Sequence, residues 1–474
     1  MADPIFDTPK CFLTQKRKTH IKLHIIRNEK LSAWLKKQDT SVRKGAAENG
    51  FDKEESILLI TRNKNGSIKN ITIRMDKEIR LYDMAQVANR ITTLFSSNFL
   101  KSTSFEIQSE KLSQNNLGNA HIGWALGCYE FTKYKKSKKE NPALLWAKGI
   151  DKKRANAYIQ SVCMLRSLIN TPANDMGPEE LEKAARKLAT THKATIKVVK
   201  GKELETGFPM VFAVGDSSPR RPRLIDIKWG KAKDPKLTII GKGVCFDTGG
   251  LDLKPSAYMR LMKKDMGGAA HALGVAKLVM GLNLPVRLRV LIPAVENSVS
   301  GKAFRPGDIF TSRKGLTIEN TNTDAEGRLI LTDALTLASE EKPDLIIDFC
   351  TLTGSARAAL GQDIPAFFSN NEKLGKALQD ISMKSEDPLW EMPLWQPYRR
   401  HNESAIADLH NSAGIPGDLI YSALFLESFL VGKPNWMHMD VFAWESSGRP
   451  GRPKGGCDTG MRAVFALLEK RYGR

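Results

Sequence analysis

The stretch Leu237-Thr-Ile-Ile-Gly-Lys-Gly-Val-Cys-Phe-Asp-Thr-Gly-Gly250 reads as a short apolar strand running into a glycine-punctuated turn that carries Lys242 and Asp247. Glycines on both sides of the charged residues let the backbone turn tightly and approach a ligand. Working outward, the strand candidates are Leu237–Ile240 itself, Ile196–Val199, Met210–Val214, Leu224–Ile227, Val286–Ile292 and Leu345–Phe349. Helical patterns fall at Met266–Gly281, Leu329–Ser339 and Asp418–Phe429. Short apolar strands separated by helices predict an α/β fold whose central sheet, parallel or mixed, is covered by helices on both faces. Ligands in such sheets gather at the carboxyl ends of strands. Lys242, Asp247 and Thr351 all follow strand candidates, where a site is expected.

At 474 residues the chain exceeds what one hydrophobic core serves, so two domains are expected. Residues 1–145 mix strand-like runs (Ile57–Ile60, Ile71–Ile73) with a helical stretch from Asp83 to Leu94, and predict a small α/β domain without a catalytic constellation. Residues 146–474 form the larger domain, with 146–170 as a connecting helix: Ala155, Ile159, Val162, Leu165 and Ile169 share one apolar face. That helix stops at the turn-forming cluster Asn170-Thr-Pro-Ala-Asn-Asp175, and another opens at Pro178.

A composition 41% apolar and 26% charged is that of a globular protein. No apolar run approaches the roughly 20 residues that span a bilayer, so no membrane role is expected. The beginning Met-Ala-Asp-Pro-Ile-Phe-Asp lacks the basic-then-apolar organisation of a secretory leader. Six scattered cysteines without a Cys-x-x-Cys pair suit reduced thiols, so a cytoplasmic location is expected. The net charge is +21, and residues 1–150 alone hold 27 Lys+Arg against 15 Asp+Glu. Its sharpest cluster is Lys133-Tyr-Lys-Lys-Ser-Lys-Lys139, which reads first as a solvated loop and second as a nucleic-acid contact.

The chemistry concentrates between Lys242 and Arg328. Asp247, Asp265, Asp324 and Glu326 supply acidic oxygens, and Lys242, Lys254 and Arg328 supply cations. Carboxylates brought together resist ionising together, and a pair of divalent metals would hold them. Lys242 could coordinate only if deprotonated; otherwise it is an ion-pair partner of Asp247. Alone, Asp265 would read as a helix cap. Asp324 and Glu326, two apart in an extended segment, would point to the same side. Oxygen-rich ligation suits Mn²⁺ or Mg²⁺, and Zn²⁺ also accepts carboxylates. The eight histidines form no His-Glu-x-x-His pattern.

From about Asn170 onward the chain resembles the leucyl aminopeptidase (cytosol aminopeptidase) family of dinuclear metallopeptidases. The resemblance rests on Asn322-Thr-Asp-Ala-Glu-Gly-Arg-Leu329, Gly241-Lys-Gly-Val-Cys-Phe-Asp-Thr-Gly-Gly250 and Met262-Lys-Lys-Asp-Met-Gly-Gly-Ala-Ala270. It is supported by Thr351-Leu-Thr-Gly354, Asp408-Leu-His-Asn411 and Trp436-Met-His-Met-Asp440. No motif in residues 1–145 carries it beyond their place as the family's variable N-terminal domain. The resemblance implies a metal-dependent aminopeptidase that releases N-terminal amino acids by attack of a metal-bridging water. It implies Lys242, Asp247, Asp265 and Glu326 on one metal, and Asp247, Asp324 and Glu326 on the other. Lys254 is then the catalytic lysine, and Arg328 holds a bicarbonate that acts as general base. Met262, Thr351, Leu352 and Gly354 would bind substrate, and a homohexamer is implied. The family's usual alanine near the C-terminus is Phe442 here, a ring that would change the volume of the substrate pocket. A further role as a DNA-binding regulator through the basic N-terminal region is the second expectation.

Overall fold

The computed structural model describes residues 4–53, 55–108 and 112–473. These divide into two compact units, one comprising the chain up to Cys163 with Ser446–Lys454, the other Met164–Glu445 with the segment from Gly455 onward. The helix Lys152–Asn170 runs through the division.

The first unit is a six-stranded sheet ordered Phe12–Leu13, Ala143–Leu145, Thr103–Ile107, Thr19–Arg27, Ile68–Met75 and Leu58–Arg62. Its neighbours are parallel except the last pair. The helices Leu81–Leu94 and Gln114–Gly127 pack on one another in the same unit.

The second unit is built on a mixed sheet of nine strands. Lys236–Gly241 lies between Leu345–Cys350 and Arg287–Asn297, parallel to both. Trp436–Asp440 continues parallel beyond Leu345–Cys350, while Ala366–Ser369 and Arg223–Trp229 run antiparallel further out. Gly243–Asp247 pairs with the far end of Arg287–Asn297.

Alternation along the central strands sends side chains to both faces. Ile240, Leu291 and Ile346 join the core cluster that takes in Leu329–Ala338 of helix Glu326–Glu340. The intervening Ile239, Val290 and Ile347 are equally buried and face the other side, where helix Gly267–Gly281 packs. That helix is buried along nearly its whole length, which its run of Gly, Ala, Leu and Val permits. The expected α/β architecture with a mixed, helix-flanked sheet is therefore present.

Two local expectations fail. Met210–Val214 is part of the helix Pro209–Gly215, not a strand. A short apolar run does not distinguish the two by its period. Here Pro209 starts the helix, and buried Asp333 accepts hydrogen bonds from Met210 N and Val211 N at its free end. Asp324 and Glu326 do not share an extended segment. Asn322 Oδ1 accepts from Asp324 N at 2.8 Å, closing a turn, and Glu326 opens the helix Glu326–Glu340.

Candidate active site

Three parallel strands deliver the site from their carboxyl ends. Lys242 follows Lys236–Gly241, Thr351 follows Leu345–Cys350, and Asp440 closes Trp436–Asp440. Asp247 closes Gly243–Asp247 alongside. Asp265 comes from the short 3₁₀ turn Met262–Met266 that precedes helix Gly267–Gly281. Its carboxylate caps no helix: Oδ1 accepts from Thr351 Oγ1 at 2.7 Å, and Oδ2 lies 2.7 Å from Lys242 Nζ. The helix-cap alternative for Asp265 is thereby set aside.

Asp247, Asp265 and Glu326 each bring a carboxylate oxygen within 4.8 Å of the others, and all three are buried. Asp324, half-buried, adjoins them through Lys254. The two lysines divide the acids between them. Lys242 Nζ sits 2.7 Å from Asp265 Oδ2 and 2.8 Å from Glu326 Oε1, and donates to Thr351 O at 3.0 Å. Lys254 Nζ sits 2.8 Å from Asp247 Oδ2 and is ion-paired with Asp324 Oδ1. Lys242 is thus an ion-pair partner, though of Asp265 and Glu326; Asp247 pairs with Lys254.

Gly327 makes this arrangement sterically feasible, because a Cβ there would lie 2.5 Å from Lys242 Cε. Gly250 (φ +65°) turns the loop beneath Asp247 in a conformation few other residues adopt.

Four buried or half-buried carboxylates face two closely paired ammoniums, with Lys264 a third cation 3.9 Å from Asp265 Oδ1, so carboxylates remain in excess. Burial, with Asp247 as the next cause, pushes Glu326 up to about 8 and Asp324 up to about 6. Burial would also raise Asp265, but Lys242, then Lys264 and Lys254, outweigh it and hold Asp265 down at about 2. Burial opposes the charge on Lys242, yet Asp265 and Glu326 raise its pKa well above the usual lysine value. Asp265 Oδ2, Asp324 Oδ1 and Glu326 Oε1 have ammonium neighbours but no partner in hydrogen-bonding geometry. Excess negative charge, hard oxygen donors and unsatisfied lone pairs together fit divalent cations.

The cluster opens into a cavity of about 420 Å³. Every expected substrate contact lines it: Met262, Thr351, Leu352, Gly354 and Phe442. Arg328 does not. Its guanidinium is buried, donating to Asn411 O at 2.6 Å and Asp418 Oδ1 at 3.0 Å, while Nε lacks a partner.

Some site residues were not singled out by sequence. Asn297 donates to Asp247 Oδ1, and Asp440 takes the N–H groups of Leu352 and Thr353. Asp440 and Lys264 stand inside the quoted motifs, but only the structure gives them partners; nothing local marks Asn297.

Fold and site together are those of an α/β protein whose strand ends open into a carboxylate-lined cavity. The model of the cytosol aminopeptidase family's catalytic domain matches residues 163–465, and that of the M17 aminopeptidase N-terminal domain matches 21–146. The probable cytosol aminopeptidase of Syntrophotalea carbinolica is 44% identical over 322 residues, 67% of this chain and 65% of that protein, just under two thirds of its length. The crystal structure of the cytosol aminopeptidase from Coxiella burnetii is 42% identical, with TM-score 0.91 over 98% of this chain and 99% of that one. The bottromycin maturation enzyme BotP in complex with Mn is 26% identical, with TM-score 0.84 over 95% and 99%. The chain belongs to the cytosol aminopeptidase family and is a peptide hydrolase.

Proposed function

We propose that this chain is a dinuclear metalloaminopeptidase that releases N-terminal amino acids from peptides. Asp247, Asp265 and Glu326, joined by Lys242 once a cation has displaced its proton, would hold one divalent cation, and Asp247, Asp324 and Glu326 the other. The observation that carries the reading is the convergence of Asp247, Asp265 and Glu326 oxygens within 4.8 Å in a buried cluster. Such a pair of ions, when bound, supplies a water of lowered pKa and polarises a carbonyl. Mn²⁺ or Zn²⁺, with Mg²⁺ as a further option, suits these donors; BotP, a similar protein, is described with Mn.

The chain's own residues complete the chemistry. A peptide's free α-amine, in its neutral form, would bind at the cation-filled acid cluster, which restricts action to the first residue. Lys254, its pKa raised by Asp247 and Glu326 against the effect of burial, stays cationic and stabilises the oxygen on which charge develops. Asp440 holds the Leu352 and Thr353 N–H groups, which fixes the substrate-facing loop Thr351–Gly354. Arg328 is the expected holder of bicarbonate, the general base of this reading. Nε–H is its donor without a partner, but Asp418 takes Nη2, so half of a bidentate seat is already filled.

Metal content and aminoacyl-amide hydrolysis after stripping and reconstitution with Mn²⁺, Zn²⁺ or Mg²⁺ test the proposal. Undiminished hydrolysis by metal-stripped protein would overturn it. A cytoplasmic homohexamer completes the reading. Exposed Leu251 and Leu253 support it as apolar surface that a subunit contact would cover. A trimer or monomer in sedimentation would correct the assembly. Among the described residues no helix is long and apolar enough to cross a membrane.

A second role in DNA binding has one observation in its favour, the exposed lysines 135, 136, 138 and 139 in the first unit. Salt-dependent binding to duplex DNA that disappears when these lysines become glutamates would support it. Absence of binding at low salt would end it.

A further inference from the structure

One wall of the active-site cavity is cationic. Lys264 Nζ stands 4.9 Å from the centroid of the Phe442 ring, and Arg357 Cζ stands 4.8 Å from it. All three side chains line the cavity. Lys264 is 6% exposed, so its ammonium has lost nearly all contact with bulk water. Among the described residues its Nζ donates no hydrogen bond. Its nearest carboxylate oxygen, Asp265 Oδ1, is 3.9 Å away and already accepts from Thr351 Oγ1. Arg357, on the short exposed helix Gly354–Leu360, has no ion pair or side-chain hydrogen bond among those residues. A ring face compensates a desolvated ammonium only in part. The contrast is with Lys242 and Lys254 in the same cavity, each held by two carboxylates.

We propose that Lys264 and Arg357, both set against Phe442, form a subsite for a substrate carboxylate, so that the enzyme takes peptides whose first residue is Glu or Asp. This rests on the aminopeptidase reading and adds a substrate class to it. An acidic N-terminal residue carries both groups the cavity can hold. Its neutral α-amine suits the cation-filled acid cluster, and its side-chain carboxylate can take charge-assisted hydrogen bonds from Lys264 and Arg357. The one other carboxylate a substrate always has is its C-terminus, which would reach this wall only in a very short peptide.

The test uses the full chain reconstituted with Mn²⁺ and matched glutamyl, aspartyl, leucyl and methionyl coumarin amides. The glutamyl kcat/KM should at least equal the leucyl value. Lys264→Met should lower the glutamyl-to-leucyl ratio about tenfold or more, and Arg357→Gln should lower it less because Arg357 is exposed. Calorimetric binding of free glutamate against free leucine reads the same preference without turnover. Leu-Gly against its C-terminal amide separates the two carboxylates. If Lys264→Met removes only a preference for the free C-terminus, the assignment to an acidic first residue is overturned. A leucine-dominated profile whose ratio neither variant moves overturns the subsite and leaves the aminopeptidase standing. Failure of folded, metal-loaded protein to cleave any of the amides overturns the reading beneath it. Should Lys264→Met not fold, Arg357→Gln and the wild-type profile decide.

Discussion

Asn297 Nδ2 lies 2.9 Å from Asp247 Oδ1 and 3.0 Å from Thr323 O, so one buried amide ties the loop of Asp247 to the turn of Asp324. A group that orients a ligating carboxylate affects metal affinity by about 10–100-fold. Asn297→Ala should therefore weaken Mn²⁺ binding within that range, measured by calorimetric titration of stripped protein. It should also lower stability by roughly 1–3 kcal/mol, because Thr323 O loses a buried donor. Wild-type affinity in this variant would remove Asn297 from the site.

Glu326→Gln fixes in neutral form a carboxyl that the metal-free site already raises to about 8, and takes away its ability to ionise around a cation. Hydrolysis should fall by at least about 10³-fold, since one proposed ligand to both ions is gone. The metal-free variant should melt no lower than metal-free wild type at neutral pH, because the carboxyl it replaces is already protonated there. Calorimetry on both stripped proteins checks this, and a melting temperature several degrees below wild type would contradict it.

The same acids set a pH dependence. Glu326 and Asp324 are raised in the folded chain, to about 8 and about 6, so the metal-free folded protein holds protons that the unfolded chain has released. Their contribution to stability is present below the ordinary carboxylate range and is lost as pH rises toward 8. Asp265 is lowered to about 2, so its contribution is lost as pH falls from about 4 toward 2. Melting temperature of stripped protein should decline from pH 4.5 to 8, with a shallower slope in Glu326→Gln. Equal slopes would refute the assignment.

Gly327→Ala places a methyl group 2.5 Å from Lys242 Cε, which must move. Overpacking of this kind costs about 1–3 kcal/mol. Displacing Lys242 from Asp265 and Glu326 should lower aminoacyl-amide kcat at least about tenfold. A denaturant melt and a steady-state assay read the two effects, and an unchanged kcat would show that the position of Lys242 is immaterial.

Asp440 accepts from Leu352 N at 2.9 Å and from Thr353 N and Oγ1 at 3.1 and 2.6 Å. Asp440→Asn keeps the volume but offers those N–H groups a poorer acceptor, so the Thr351–Gly354 loop loosens. KM for aminoacyl-amides should rise several-fold, and more than kcat falls. A loss confined to kcat would place Asp440 in the chemistry instead.

The central sheet was legible in the order of residues because buried strands must be short apolar runs, and glycine beside charge marks where such strands end. Leu237–Ile240 and Leu345–Phe349 lie in strands, Val286–Ile292 does so from Arg287 onward, and the acids beyond them converge. Met210–Val214 was misread because five apolar residues suit either periodicity. A carboxylate more than a hundred residues away, on Asp333, helps settle that segment as a helix. Residue type also marked Lys242, Lys254 and the four acids as one group, since that many like charges need a common counter-ion.

Which acid pairs with which lysine depended on tertiary packing alone. Lys242 reaches Asp265 and Glu326 because Gly327 lets helix Glu326–Glu340 begin against its side chain. Phe442 stood out in sequence only as a large ring in a pocket. Folding brought it to Lys264 and Arg357, which are 178 and 85 positions away along the chain. Local pattern encodes which faces are apolar and where strands stop; the partner of a buried charge is decided by distances between segments that no local pattern records.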